Sequence, residues 1–235
     1  MRLFGEAWAW LTAPEQWSGS GSLPERVGEH LGYTLLALLV SAVVAIPLGY
    51  VVGHTGRGRE LAVALSGAGR ALPSLGLLTV LTLLVGIGNA DSAATAVFVV
   101  LAVPSVLAGA YAGVENVDAA VTDSARAMGM TSWQVLTRVE APLGLPLLVG
   151  GLRSAALQVI ATAVLASYVG LGGLGIYIQR GISLRRYEEM LGGAIAIVLL
   201  AVVADAVFAL LARIAVRIAG GQGTLSAGPP TEGRS

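Results

Sequence analysis

The feature that most limits what this chain can fold into is a series of long stretches without charge. Leu31–Val52, Ala71–Ala90 and Ser92–Val114 carry no charged side chain, Leu143–Tyr168 carries only Arg153, and Met190–Ala212 carries only Asp205. A helix needs about 20 residues, at ~1.5 Å each, to cross the ~30 Å hydrocarbon core of a bilayer. Each stretch meets that length. Inside lipid every backbone N–H and C=O must find a partner within its own segment, which leaves helices as the solution for isolated apolar runs. The expectation is an all-α membrane protein with about five transmembrane helices, with Pro47 as a kink point in the first and Pro104 inside the third. Composition agrees: 55% of the residues are hydrophobic and 12% charged, against about 25% charged in soluble domains.

Between the third and fourth stretches the character changes. Residues 115–146 are polar and helix-forming, and a connection of that length is usually functional or disordered. Val117, Val121, Met128, Met130, Trp133, Val135 and Leu136 argue for order. The pattern predicts two short helices. Asn116 or Asp118 caps the first, Gly129 ends it in a left-handed conformation, and Thr131 with Gln134 forms a capping box on the second. Pro142 and Pro146 are expected to stop that second helix from running unbroken into the next span. Such a projection can dock into a cleft on a partner, with Met128 and Met130 as adaptable contacts. The plainer alternative is a loop packed only against its own subunit.

These residues resemble the cytoplasmic coupling loop of permease subunits in binding-protein-dependent ABC importers. That loop has the form Glu-Ala-Ala, three residues, Gly, nine residues, Ile-x-Leu-Pro. Here Asp123-Ser124-Ala125, Gly129 and Val139-Glu140-Ala141-Pro142 keep the spacing, with Asp for Glu, Ser for Ala and Ala for Leu. Leu72-Pro73-Ser74-Leu75 and Gly170-Leu171-Gly172-Gly173-Leu174-Gly175 are similar to the osmoprotectant branch, which imports glycine betaine, carnitine or choline. The resemblance spans roughly Leu31 to Ala219. It implies a fold like that of methionine-importer permeases, with Asp123, Ser124, Ala125, Met128, Gly129, Met130 and Pro142 in the ATPase-coupling loop. It further implies two ATPase subunits, a second permease copy or a related permease, an extracytoplasmic solute-binding protein, and a bacterial or archaeal cytoplasmic membrane. No cofactor is then expected on this chain; ATP and magnesium belong to the ATPase partner.

What the sequence lacks points the same way. All fourteen basic residues are arginine. A P-loop needs its lysine on the phosphates, so any ATP is hydrolysed elsewhere. Cysteine is absent, which removes disulfides and thiolate chemistry. His30 and His54 stand at opposite ends of the first span and make no joint metal site. Zero net charge gives no basic face for nucleic acid. This chain is not expected to be an enzyme.

Three parts are expected: an extracytoplasmic or interfacial segment (residues 1–30), the permease domain (31–219) and a disordered cytoplasmic tail (220–235). Trp8, Trp10 and Trp17 suit the first to the membrane interface, a loosely folded cap being the alternative. Glu60–Arg70 is expected as a surface helix. With the 115–146 loop inside, Arg57, Arg59, Arg70, Arg126, Arg138, Arg213, Arg217 and Arg234 are cytoplasmic. Arg2, Arg26, Arg180, Arg185 and Arg186 are outside, an excess in the positive-inside direction.

Within the spans, Arg153 and Asp205 both lie roughly 10–12 Å from the inner end. They are expected to pair, unless Arg153 snorkels to the headgroups. Ser154, Gln158 and Thr162 recur every four residues and either line a translocation path or bond to another helix. Gly49-x-x-x-Gly53 and Gly109-x-x-x-Gly113 permit close helix approach, although a chain with 32 glycines produces that spacing by chance too. Gly170, Gly172, Gly173 and Gly175 fit a dinucleotide fingerprint by letter only, since the strand and parallel sheet it needs are missing. An outer gate or docking rim is the better reading of them. The alternatives are a permease for another small solute such as an amino acid, a stand-alone secondary transporter, which needs coupling-ion sites or inverted repeats, or a structural or assembly-factor membrane protein.

Overall fold

The charge-free stretches fold as helices, and the computed structural model describes residues 2–62, 64, 67 and 73–223. A short helix α1 (Arg2–Thr12) and a 3-10 turn (Pro14–Gln16) precede α2 (Leu23–Thr55). Then come α3 (Ser74–Val85), α4 (Ala90–Glu115), the hairpin helices α5 (Ala119–Ala127) and α6 (Ser132–Val135), and a π-helical turn (Leu136–Glu140). The chain closes with α7 (Ala141–Thr162), a 3-10 stretch (Ala163–Val169), α8 (Gly175–Leu184) and α9 (Tyr187–Gly223). No strand occurs among the described residues.

Among the described residues, four helical segments are long and apolar enough to cross a membrane: Leu23–Thr55, Ile87–Glu115, Ser132–Val169 and Tyr187–Gly220. The stretch expected at Ala71–Ala90 carries the shorter apolar helix α3, 12 residues long, its first two residues lying outside those described. Gly86, at φ +88°, ends α3. Most of the surface helix expected at Glu60–Arg70 also lies outside the described residues.

Two boundaries differ from expectation. Helix α2 starts at Leu23 rather than Leu31 because Pro24 occupies its first turn and Arg26 pairs with Glu29 at 2.8 Å along the same face. Two of the three charges in this stretch, Arg26 and Glu29, are thus paired within it, and the third, Glu25, accepts the Gly21 N–H. Helix α9 runs through Gly220 to Gly223, past the expected start of the tail, and residues 224–235 are outside the described set.

The core lies where α2, α4 and α7 meet. Ala37, Ala45, Val97, Phe98, Ala102, Val106, Ala155 and Val159 are buried there. Its small residues let backbones touch. A β-carbon at Gly49 would lie 2.6 Å from the Ala110 β-carbon, and one at Gly53 would lie 2.8 Å from the Tyr111 carbonyl oxygen. On the other side of α4, a β-carbon at Gly109 would lie 2.7 Å from Gly151 Cα, and one at Gly113 would lie 2.6 Å from the Gly144 carbonyl oxygen. Both four-residue glycine spacings are therefore true contact seams, one against each neighbour of α4.

A second cluster, Leu11, Leu23, Leu174 and Tyr177, closes the end away from the hairpin. Trp10 meets Tyr177 edge-on with ring centroids 5.1 Å apart, and its indole covers Gly192 of α9. The Tyr177 hydroxyl donates to the Gly21 carbonyl at 2.8 Å, and burial is the main cause raising its pKa above the ordinary value. Helix α1 is thus a docked cap rather than a loose one, with Ala7 and Leu11 buried and Phe4 and Trp8 exposed; Trp17, after the 3-10 turn, is exposed too.

Candidate functional site: the polar hairpin and its stems

The hairpin is built from local signals. Asp118 caps α5 by accepting the Ala120 N–H at 2.9 Å. At the other end the Met130 N–H donates to the Ala125 carbonyl at 3.2 Å, and the Gly129 N–H donates to Arg126 at 2.9 Å. That pair of bonds is a Schellman motif, and it requires Gly129 at its φ of +87°. Thr131 then opens α6: its hydroxyl accepts the Gln134 N–H at 3.4 Å, and the Gln134 amide oxygen accepts the Thr131 N–H at 2.8 Å. Both halves of the capping box are present.

Thr122 and Ala125 are buried on one face of α5. The opposite face is free: Asp123 pairs with Arg126 at 3.1 Å, and the Ser124 hydroxyl donates back to the Ala120 carbonyl at 2.7 Å. The turn between the helices and the start of α6 hold exposed apolar bulk, Met128 at 77% and Trp133 at 71% exposure, with Met130 half-buried beside them. Large apolar side chains raised on a polar hairpin are what a docking contact needs.

The expected break after α6 is absent. Helical structure continues from Ser132 to Val169, and Pro142 sits in the first turn of α7 while Pro146 lies inside it. Pro142 has no N–H to donate and its ring crowds the carbonyl four residues back. The wider π turn at Leu136–Glu140 lies across that carbonyl, at Arg138, so the helix swells by one turn instead of ending.

Glu140, the last residue of that turn, is buried at 5% exposure. Its carboxylate meets His54 Nδ1, in the last turn of α2, at 2.5 Å. Arg59, just beyond α2, pairs with Glu115 at the end of α4 at 3.0 Å. Neither contact was visible in the sequence. His54 and Glu140 are 86 positions apart, and the only hint was an acidic residue beside an apolar stretch.

Arg153 on α7 and Asp205 on α9 form a two-pronged ion pair, with Nε to Oδ1 at 2.6 Å and Nη2 to Oδ2 at 2.7 Å. Fork-to-fork geometry of this kind is the strong form of the interaction. Of the polar stripe on α7, Ser154 is exposed and Gln158 and Thr162 are half-buried. The Thr162 hydroxyl donates to the Gln158 carbonyl of its own helix at 2.9 Å, so it makes no bond to a neighbouring helix there.

At the far end, Gly170 takes φ +85° and ends the 3-10 stretch. The Gly173 N–H donates to Glu29 at 2.7 Å, while Gly172 lies against the same carboxylate and Gly175 against the Val164 carbonyl. The four glycines thus fold as a tight rim over the start of α2. Buried His30 joins this rim from below, its Nε2 meeting the Ile160 carbonyl at 2.9 Å. No cluster of His, Asp or Glu able to hold a metal occurs among the described residues.

Residues 45–217 match the family model described as the binding-protein-dependent transport system inner membrane component. The chain is 34% identical over 196 residues to the glycine betaine/carnitine/choline transport system permease protein OpuCB of Bacillus subtilis (strain 168), covering 83% of this chain and 89% of that one. It is 36% identical to the carnitine transport permease protein OpuCB of Listeria monocytogenes, covering 75% and 80% respectively. It is 33% identical to the osmoprotectant import permease protein OsmW of Salmonella typhimurium (strain LT2), covering 79% and 88%. In fold it is similar to a chain of the MetNI methionine ABC transporter in an inward-facing form, with a TM-score of 0.71 and 22% identity over 82% of this chain and 95% of that one.

Proposed function

The chain belongs to the binding-protein-dependent transport system inner membrane components, and from that premise we propose that it is the lever-bearing permease of an importer for a small quaternary ammonium osmoprotectant. It is a multi-pass membrane protein and the permease subunit of an ABC importer. In the proposed assembly two ATPase subunits each receive one hairpin, and a second permease completes the path. An extracytoplasmic binding protein delivers glycine betaine, carnitine or choline.

The observation that carries this reading is the hairpin itself. It is rigidly capped at Asp118, Gly129 and Thr131, it exposes Met128 and Trp133, and its two stems run directly into α4 and α7. A cleft closing on those side chains pushes both stems together. Selection of the substrate is assigned to the binding protein. Quaternary ammonium groups are held by aromatic cages, and this chain has only three Phe, six Tyr and four Trp.

Purification tests it. The wild-type permease should carry a nucleotide-binding subunit with it, and Gly129→Arg, which cannot hold the left-handed turn at low cost, should lose that subunit. A Gly129→Arg protein that still binds the ATPase and transports at the normal rate would overturn the reading.

A further inference from the structure

The two stems of the hairpin are not its only outlets. Helix α2 ends at Thr55, sealed by Gly56 in the left-handed conformation with its N–H on the Val52 carbonyl at 2.9 Å. His54 sits in that last turn and reaches across to Glu140 at 2.5 Å. Both partners are shielded, with side-chain exposures of 14% and 6%. A carboxylate buried that deeply needs a donor, and removing the donor leaves the charge uncompensated.

Position gives the contact its meaning. Glu140 closes the π turn, at the point where the hairpin's second helix becomes α7. The extra residue of a π turn rotates everything after it by about 100° relative to an unbroken α-helix. That rotation sets which residue faces α2. On the other stem, Arg59 holds Glu115 at 3.0 Å, so the segment around the foot of α2 is tied to both stems, by one side-chain contact to each.

We propose that His54 and Glu140 are a positioning pair that makes the foot of α2 a third arm of the lever, so that hairpin displacement reaches α2 directly. This rests on the permease reading above. ATP-driven closure moves the hairpin, Glu140 moves with it, and the imidazole of His54 carries the displacement into α2. Without the pair, the hairpin still binds its ATPase but α2 lags.

The experiment uses the complete importer, permease with ATPase and binding protein, reconstituted in vesicles, and reads solute moved per ATP hydrolysed. Glu140→Ala and His54→Ala should keep the ATPase bound and hydrolysing while lowering that ratio by roughly tenfold, within the usual range of site-to-site coupling. The double alanine variant should be no worse than either single. Glu140→Gln, which keeps an acceptor for the imidazole, and the exchanged pair His54→Glu with Glu140→His should recover most of the ratio. A merely structural contact would lower protein yield without changing the ratio.

An unchanged ratio in both alanine variants overturns the proposal. If the alanine variants fail to assemble, the exchanged pair decides: a ratio restored above that of His54→Glu alone supports it, and no restoration overturns it. Failure of the wild-type chain to bind an ATPase would instead refute the permease reading.

Discussion

Replacing Gly109 by alanine tests whether α4 and α7 meet backbone to backbone. A β-carbon there would lie 2.7 Å from Gly151 Cα, 2.8 Å from the Leu147 carbonyl oxygen and 3.0 Å from the Gly151 nitrogen, whereas ordinary contact begins at 3.4 Å. The shortfall is about 0.4–0.7 Å against main-chain atoms, which have no rotamer to change. The helices must part, at about 1–3 kcal/mol for overpacking of this kind. Alanine also gains up to ~1 kcal/mol of helix propensity over glycine, which would blur a single measurement. Gly150→Ala removes the ambiguity: it lies inside α7 with nothing within 4 Å of its would-be β-carbon, so it collects the propensity gain without the clash. The difference between the two variants is then the packing cost alone. A difference of about 2 kcal/mol in a chain of this size separates the melting temperatures by roughly 4–8 °C. Thermal unfolding of the purified protein in detergent, followed by helical circular dichroism, reads it directly. If Gly109→Ala melts with or above Gly150→Ala, the seam is not tight and the reasoning fails.

Arg153→Glu and Asp205→Arg should each cut uptake by roughly tenfold, because each leaves one charge facing its own kind within an apolar stretch, and the double exchange should regain much of it. A double variant as poor as the singles would show that the charges act separately. Thr131→Ala removes the cap of α6 at a cost of about 1 kcal/mol. Amide hydrogen exchange over residues 131–135 should therefore quicken by about fivefold while the core of α4 is unaffected, and unchanged exchange would mean the capping box does not hold the hairpin.

What could be read in advance followed the reach of each signal. The caps at Asp118, Gly129 and Thr131 depend on residues at most a turn apart, so spacing alone located them. The meeting of Arg153 with Asp205 needed only a count of residues from the end of each span. The π turn could not be read, because a proline inside a helical pattern is equally compatible with a stop, a kink or a bulge. The contact between His54 and Glu140 depends on that turn's rotation and on the fold of the intervening helices, so no local pattern announces it. The glycine seams were marked by their spacing but not decided by it: among so many glycines, Gly49, Gly53, Gly109 and Gly113 are told from chance only when the partner backbone is placed against them. The early start of α2 falls outside a charge-free stretch because Arg26 and Glu29 interrupt it, although on the helix they form a pair on one face.

The seams have a mechanical consequence. Where main chain rests on main chain, as α4 does on α2 through Gly49 and Gly53 and on α7 through Gly109 and Gly113, no rotamer can yield to compression, and without interlocking side-chain ridges little holds register along the seam. The glycines therefore set how closely the three helices lie, while their register is left to contacts at the helix ends, such as Arg59 on Glu115 and His54 on Glu140.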